Sequence, residues 1–184
     1  FDDGYRDFYD LAFPLLMRKG IPAAVFVSTG FVGTRNVHTH DRLYALLARR
    51  PGDAYRSTRR MIEHQPETGL LRAIREMKTG SSLQDDLYKP FYSLTWEMLD
   101  QMQKRGVTVG SHTRRHVVLP NESQDRAAEE LTGSRAELEQ RLGTRVGHFA
   151  YPGGFFDDAS VKAGAQGGLR FRRHACHDRG APNP

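Results

Sequence analysis

The sequence predicts an α/β fold in which parallel strands alternate with helices. Short apolar runs typical of buried strands occur at 23–27, 107–110 and 146–150. Between them lie longer segments in which apolar residues recur at the spacing of one helix face. The run at 107–110 is followed directly by Ser111 and His112, and the run at 146–150 by a Tyr-Pro-Gly-Gly turn. Such residues are typical of the carboxyl ends of parallel strands, where active sites collect. These observations favour a parallel sheet surrounded by helices.

The composition predicts one globular domain that spans 1–184. With 38% hydrophobic and 27% charged residues, the chain is neither collagen, nor a coiled coil, nor a long disordered segment. Cys176 is the one cysteine, which excludes an internal disulfide. The net charge of +5 comes from scattered basic residues, so we expect no nucleic-acid partner, and a basic surface-binding module is the weakest alternative. We also expect no membrane span, because no apolar run approaches about 18 residues.

The first half of the chain is predicted to be mostly helical. A helix is expected over 7–19, where Pro14 should introduce a kink or mark the effective start. After the strand at 23–27, further helices are expected at 41–50, 54–64 and 68–78. Because 37–92 reads mostly as helix and loop, we interpret it as an insertion between two βα units.

In the second half, strands and helices alternate. The strands are predicted at 107–110, 146–150 and 169–173, and the helices at 95–105, 121–142 and 157–166. Thr95 and Asn121 are the expected N-caps of the first two of these helices, and Gly143 follows the second. The stretch 169–173 is too polar for a central parallel strand, which favours an edge position.

Two motifs are predicted to form a metal centre. Phe-Asp-Asp-Gly at 1–4 supplies adjacent carboxylates, and Ser-His-Thr-Arg-Arg-His at 111–116 supplies two histidines four residues apart. On a helical turn, residues at that spacing point the same way and can share one zinc ion. One carboxylate would complete the ligand set, and the other would remain as a base. Taken separately, the motifs are also compatible with a plain turn and with a pair of surface histidines.

A third motif, His-Phe-Ala-Tyr-Pro-Gly-Gly at 148–154, is a strand that ends in a glycine-rich turn. Such a turn can direct backbone N–H groups inward as an oxyanion hole. Alone, the motif is first of all a turn signal.

With these three motifs in this order, the chain resembles the polysaccharide deacetylases of carbohydrate esterase family 4, the NodB-like domains. The resemblance implies a distorted (β/α) barrel and a divalent metal, most commonly zinc. It also implies removal of acetyl groups from N-acetylated polysaccharides such as chitin, peptidoglycan or exopolysaccharide, in an extracytoplasmic or cell-envelope setting. Because Phe1 begins inside a motif, we expect the chain to be truncated at both ends.

The resemblance also implies roles for individual residues. Asp2 would be the catalytic base, and the metal ligands would be Asp3, His112 and His116. The N–H of Gly153 would bind the oxyanion. Tyr151 and Pro152 would form the wall beside the acetyl group.

The sequence departs from the family pattern at two places. Many members carry an arginine that holds the catalytic aspartate, and Ala150 stands at that position here. The Leu-x-x-His motif that supplies a general acid is absent from the sequence, so His174 and His177 are the alternatives for proton donation. These departures leave open a non-catalytic carbohydrate-binding domain of the same fold.

Other polar residues are predicted to have structural or solvent-facing positions. His38 and His40 lie two residues apart, a spacing that suits a metal only on an extended strand, so we do not expect them at the centre. His148 is expected in the core. A solvated helix face is expected for the following residues: Glu129, Glu130, Arg135 and Glu137.

Overall fold

Four parallel strands form the sheet within the described part of the chain. The computed structural model describes residues 1–48, 52–77, 91–166, 168 and 170–172. The strands are β1 (Ala24–Val27), β2 (Thr108–Ser111), β3 (His148–Ala150) and β4 (Arg170–Arg172), and they are ordered β1-β2-β3-β4. All three pairings are parallel, as predicted. Among the described strands β4 lies at the end of the order, in agreement with its polar sequence.

Seven described helices surround and connect these strands. They are α1 (Phe13–Lys19), α2 (Thr39–Leu47), α3 (Ala54–His64), α4 (Glu67–Met77), α5 (Trp96–Lys104), α6 (Gln124–Leu142) and α7 (Asp158–Gln166). A π-helical turn at Phe8–Ala12 precedes α1, and 3-10 turns occur at Leu119–Asn121 and Pro152–Gly154. Within the described ranges, no helix is both long and apolar enough to cross a membrane.

The ends of the helices follow the sequence signals in most places. Pro14 lies in the first turn of α1, directly after the π-helical turn. Thr95 caps α5 by accepting the N–H of Met98, and Gly143 ends α6 in the left-handed conformation.

The predicted N-cap of α6 is wrong. Ser123 caps the helix, and its hydroxyl accepts the N–H of Arg126. Asn121 instead ends the preceding 3-10 turn and donates its side-chain amide to the carbonyls of Ile62 and Gln65. Asn121 therefore makes a long-range contact at the end of α3 instead of the local cap that the sequence predicted.

Three apolar clusters hold these elements together. The largest joins the sheet to α1, α5 and α6, and the second lies between α6 and the end of β3. The third is formed by α2, α3 and α4 and includes Leu43, Leu46, Leu70 and Ile74. The separate cluster shows that the described part of 37–92 has a small apolar core of its own; that this segment is an insertion stays a prediction.

Candidate metal centre

Pairing of the backbone beside β1 brings the first two motifs together. The carbonyl of Phe1 accepts the N–H of Phe26 at 2.8 Å, so the chain enters alongside β1. The N–H of His112, just after β2, donates to the carbonyl of Val27 at 3.0 Å. Gly4 allows the close approach, because a Cβ at this position would lie 2.8 Å from the Val27 side chain and the backbone φ is +75°. The two motifs therefore meet at the carboxyl ends of β1 and β2.

The structure brings Asp3, His112 and His116 into one cluster, as the sequence predicted. Asp3 Oδ1 lies 3.2 Å from His112 Nε2 and 2.9 Å from His116 Nε2. One ligand atom from each of the three residues lies within 4.8 Å of the others. One carboxylate and two imidazoles are a donor set that suits zinc in a catalytic site. These three residues could therefore hold a divalent ion.

The ring orientation of His112 is fixed by the end of β3. His112 Nδ1 lies 2.8 Å from the carbonyl oxygen of Ala150. Because a carbonyl only accepts, Nδ1 donates this hydrogen bond, which leaves Nε2 on the side of Asp3. This is the arrangement in which a metal-ligating histidine donates its other nitrogen to the backbone.

The expectation of a helical turn between the two histidines is wrong. Residues 112–116 form an irregular loop, in which Thr113 and His116 have φ values of 66° and 57°. The N–H groups of Thr29 and Gly30 bind the carbonyls of Thr113 and Arg114, so these carbonyls are not available for helical hydrogen bonds. The loop still brings the two imidazole rings to 4.9 Å between centroids.

The histidines keep Asp3 ionised. Burial raises the pKa of the Asp3 carboxyl, but the charge of His116 and the hydrogen bonds from both histidines outweigh burial. The pKa of Asp3 consequently lies well below its ordinary value. An ionised carboxylate beside two imidazoles is the state that binds a cation.

Asp2 lies at the exposed rim of this cluster. Its backbone carbonyl accepts the N–H of Gly4 at 2.9 Å. Within the described residues, its carboxylate makes no hydrogen bond or ion pair. Ala150 contributes its carbonyl to His112 and has no side chain that could hold Asp2. The residue is therefore exposed to solvent, and no described side chain holds its carboxylate.

The third motif lies at the end of β3. Tyr151 and Pro152 are buried, whereas Gly153 is exposed and has a φ of 62° within the 3-10 turn. The motif reaches the cluster through the carbonyl of Ala150.

The sequence prediction missed two histidines that border the cluster. The rings of His40 and His38 lie 4.4 and 5.6 Å from the ring of His116, centroid to centroid. His38 is fully buried and stacks on Phe31 at 4.2 Å. The sequence feature that could have indicated these two residues is the run His-Thr-His-Asp at the start of an amphipathic helix. His38 is an extended N-cap residue rather than part of α2, so spacing rules for a helix or a strand do not apply to the pair.

A hydrogen-bonded group holds His40 in place. The hydroxyl of Tyr5 donates to Asp41 Oδ2 at 2.7 Å and lies 3.0 Å from His40 Nε2. Burial lowers the pKa of His38 to about 3 and lowers the pKa of His40 well below its ordinary value. Burial also raises the pKa of Asp41 to about 7. The two histidines are therefore neutral near pH 7.

Two further expectations about polar residues are wrong. Glu130 is buried instead of solvated, because α6 turns this residue toward the loop 112–116. His148 is exposed instead of buried, since alternate residues of β3 point to opposite sides and Phe149 takes the core position. The proposed proton donors His174 and His177 lie outside the described residues.

The arrangement defines an α/β protein with a candidate metal centre at the carboxyl ends of its strands. The family model for polysaccharide deacetylases matches residues 1–172, and the chain belongs to this family. A comparison with curated protein sequences finds no match.

Solved structures share the fold. The chain is similar to the Streptococcus pyogenes deacetylase PplD in complex with acetate (21% identity, TM-score 0.58) and to IcaB from Ammonifex degensii (22%, 0.59). Each alignment covers 92% of this chain, but only 51% and 55% of those chains. BA3943, a CE4 family pseudoenzyme from Bacillus anthracis, is similar at 13% identity and a TM-score of 0.52, with 92% of this chain and 40% of that chain covered. The fold is therefore the predicted distorted (β/α) barrel type, and the chain spans about half the length of these neighbours.

Proposed function

We propose that this protein is a zinc-dependent deacetylase that hydrolyses the N-acetyl groups of an N-acetylated polysaccharide. The observation that supports this most is the convergence of Asp3, His112 and His116 to within hydrogen-bond distance, with the Asp2 carboxylate adjacent in the chain. Membership of the polysaccharide deacetylase family supports the substrate class.

The chain supplies a base beside the ligand cluster. When bound by Asp3, His112 and His116, a zinc ion would supply Lewis acidity at the acetamide carbonyl. Asp2 would accept a proton from water as the oxygen of that water forms a bond to the carbonyl carbon. The C–N bond then breaks, and the products are acetate and the free amine of the sugar. The amine nitrogen gains the proton that Asp2 took from water, and the acetic acid formed loses its remaining proton to solvent to give acetate.

The third motif would bind the acetyl group of the substrate. The backbone N–H of Gly153 would donate to the oxyanion of the tetrahedral intermediate. Tyr151 and Pro152, which are buried at the end of β3, would shape the wall that contacts the methyl group.

A non-catalytic carbohydrate-binding domain is the second candidate. It is favoured by the exposed Asp2, whose carboxylate has no partner among the described residues, and by Ala150 at the position of the usual arginine. A base that is not held in orientation contributes less to catalysis, because the reacting groups must be positioned before proton transfer.

Metal content and acetate release test these two candidates. Elemental analysis of the purified chain should find about one equivalent of zinc, as expected for a three-ligand site with an open position. Acetate release from an N-acetylglucosamine oligomer should stop after chelation and return when zinc is added back. Zinc without acetate release would favour the binding domain, and absence of zinc would contradict both the metal centre and the proposed reaction.

We further propose an extracytoplasmic or cell-envelope location, on the basis of the family's polysaccharide substrates. Fractionation of cells that express the full-length protein tests this proposal.

A further inference from the structure

A buried carboxylate lies directly behind the loop that carries His116. Glu130, on α6, is 1% exposed. Its Oε2 accepts the backbone N–H of Arg114 at 2.8 Å and that of Arg115 at 2.9 Å. Its Oε1 lies 3.0 Å from Arg126 Nη2, so both oxygens of the carboxylate are engaged.

The opposite side of the same loop is held by backbone groups. Thr29 donates its N–H to the carbonyl of Thr113 at 3.2 Å, and Gly30 donates to the carbonyl of Arg114 at 2.8 Å. Any Cβ at position 30 would lie 2.8 Å from that carbonyl oxygen, so the close approach requires glycine. The loop is thus held between the chain after β1 and the carboxylate of Glu130.

The loop needs this support because its conformation is intrinsically unfavourable. Thr113 and His116 both have left-handed backbone, a conformation that is unfavourable for residues that carry a Cβ. A single ionised acceptor that binds two adjacent N–H groups makes hydrogen bonds of the stronger, charge-assisted kind.

We propose that Glu130 is a positioning residue for the metal centre. By binding the N–H groups of Arg114 and Arg115, its carboxylate fixes the backbone so that His116 Nε2 reaches Asp3 and His112. This inference rests on the proposed function, since it concerns how tightly the chain holds the ion. Glu130 itself touches none of the three candidate ligands through a hydrogen bond or ion pair.

The test compares Glu130→Gln with Glu129→Gln in the full chain. Both substitutions remove one negative charge from the same turn of α6, and the two glutamates both pair with Arg126. The side chain of Glu129 is 54% exposed and meets the loop through the Arg114 guanidinium, at 3.4 Å, instead of through backbone N–H groups. Zinc affinity is measured by competition with a chromophoric chelator, well below the unfolding temperature of the zinc-free protein. Amide hydrogen exchange of Arg114 and Arg115 is followed in the same samples without zinc.

We expect Glu130→Gln to weaken zinc binding about 10- to 100-fold, as loss of an outer partner typically does, and to speed exchange at both amides. Glu129→Gln should bind zinc like the wild type. Equal zinc affinity in the two variants would overturn the proposal, even if Glu130→Gln unfolds at a lower temperature, because a purely structural role changes stability alone.

Two further outcomes are also decisive. If Glu130→Gln does not fold, Glu130→Asp is measured in its place, since it keeps the charge but shortens the reach; failure of both to fold would assign Glu130 to the fold and overturn its role at the loop. If the wild type binds no zinc, the proposed function fails by itself, and unchanged exchange in Glu130→Gln would show separately that this inference is wrong.

Discussion

The two sides of the candidate metal centre are held in place by different kinds of contact. On the strand side, His112 is fixed by backbone pairing with Val27 and by the Ser28 hydroxyl, which donates to the His112 carbonyl at 2.9 Å. On the helical side, His40 is held by side chains, through Tyr5 and Asp41. The strand side follows from the parallel sheet, whereas the helical side depends on how α2–α4 pack. We therefore expect metal binding to depend on the strand side, and α2–α4 to affect stability without changing the ligand set.

The largest expected effect comes from removing a ligand on the strand side. His112→Ala deletes the Nε2 that lies 3.2 Å from Asp3 and should abolish both zinc binding and acetate release. Elemental analysis and an acetate assay measure the two losses. The exposed His148 provides the control, since His148→Ala should change neither. A His112→Ala variant that retained one equivalent of zinc would contradict the assignment of the centre.

The next largest effect distinguishes the role of the catalytic base from that of the metal ligands. Asp2→Asn should keep zinc and lower kcat about 10²- to 10⁴-fold, the usual contribution of a general base. Asp125→Asn, a substitution of an exposed aspartate on α6, should leave kcat unchanged. Full turnover in Asp2→Asn would show that another group accepts the proton.

A substitution that creates a cavity among α2–α4 tests whether metal binding on the strand side is independent of packing on the helical side. Leu43 is fully buried in the cluster formed by α2–α4, so Leu43→Ala should lower the free energy of unfolding by about 2–5 kcal/mol. Leu47→Ala, at a half-buried position of the same helix, should cost less. Urea unfolding measures both. Zinc affinity of the folded Leu43→Ala protein should equal that of the wild type, and a large loss would show that α2–α4 shape the metal centre directly.

The smallest expected effect concerns pH and the side chain of Asp41. Burial raises its pKa from 3.8 to about 7 in the folded protein, so between these values the folded state binds a proton that the unfolded state lacks. The contribution of Asp41 to stability should therefore fall as pH rises through this window. Burial lowers the pKa values of the neighbouring His38 and His40, which contribute in the opposite direction, because an unfolded histidine binds a proton below about pH 6.5.

Asp41→Asn removes that contribution, so the free energy of unfolding of the variant should rise with pH relative to that of the wild type, by on the order of 1 kcal/mol per pH unit. Urea unfolding of zinc-free protein at pH 4.5 and 7 measures the change, with Asp100→Asn as an exposed control. Identical pH profiles for the wild type and Asp41→Asn would contradict the raised pKa.

Prediction from the sequence succeeded where a local pattern determines the geometry. Apolar runs located β1, β2 and β3, and parallel pairing then placed Asp3 and His112 at one edge. It failed at Glu130 because helical periodicity along α6 does not show which neighbour each side chain meets. His38 and His40 were missed for the same reason, since only packing of α2 against the loop 112–116 brings them to the centre.

The backbone at the metal centre limits how far its motifs can be moved to another protein. Asp3, Thr113 and His116 have φ values of 70°, 66° and 57°, although none of them is glycine. Glycine would relieve the conformational cost, but at Asp3 and His116 it would also delete a candidate ligand. If the Asp-Asp pair and the histidine spacing were copied onto a helical scaffold, the sequence motifs would be reproduced without the left-handed backbone that brings the ligands together. A successful graft has to include both left-handed turns, the sheet edge that joins them and an acceptor in the place of Glu130.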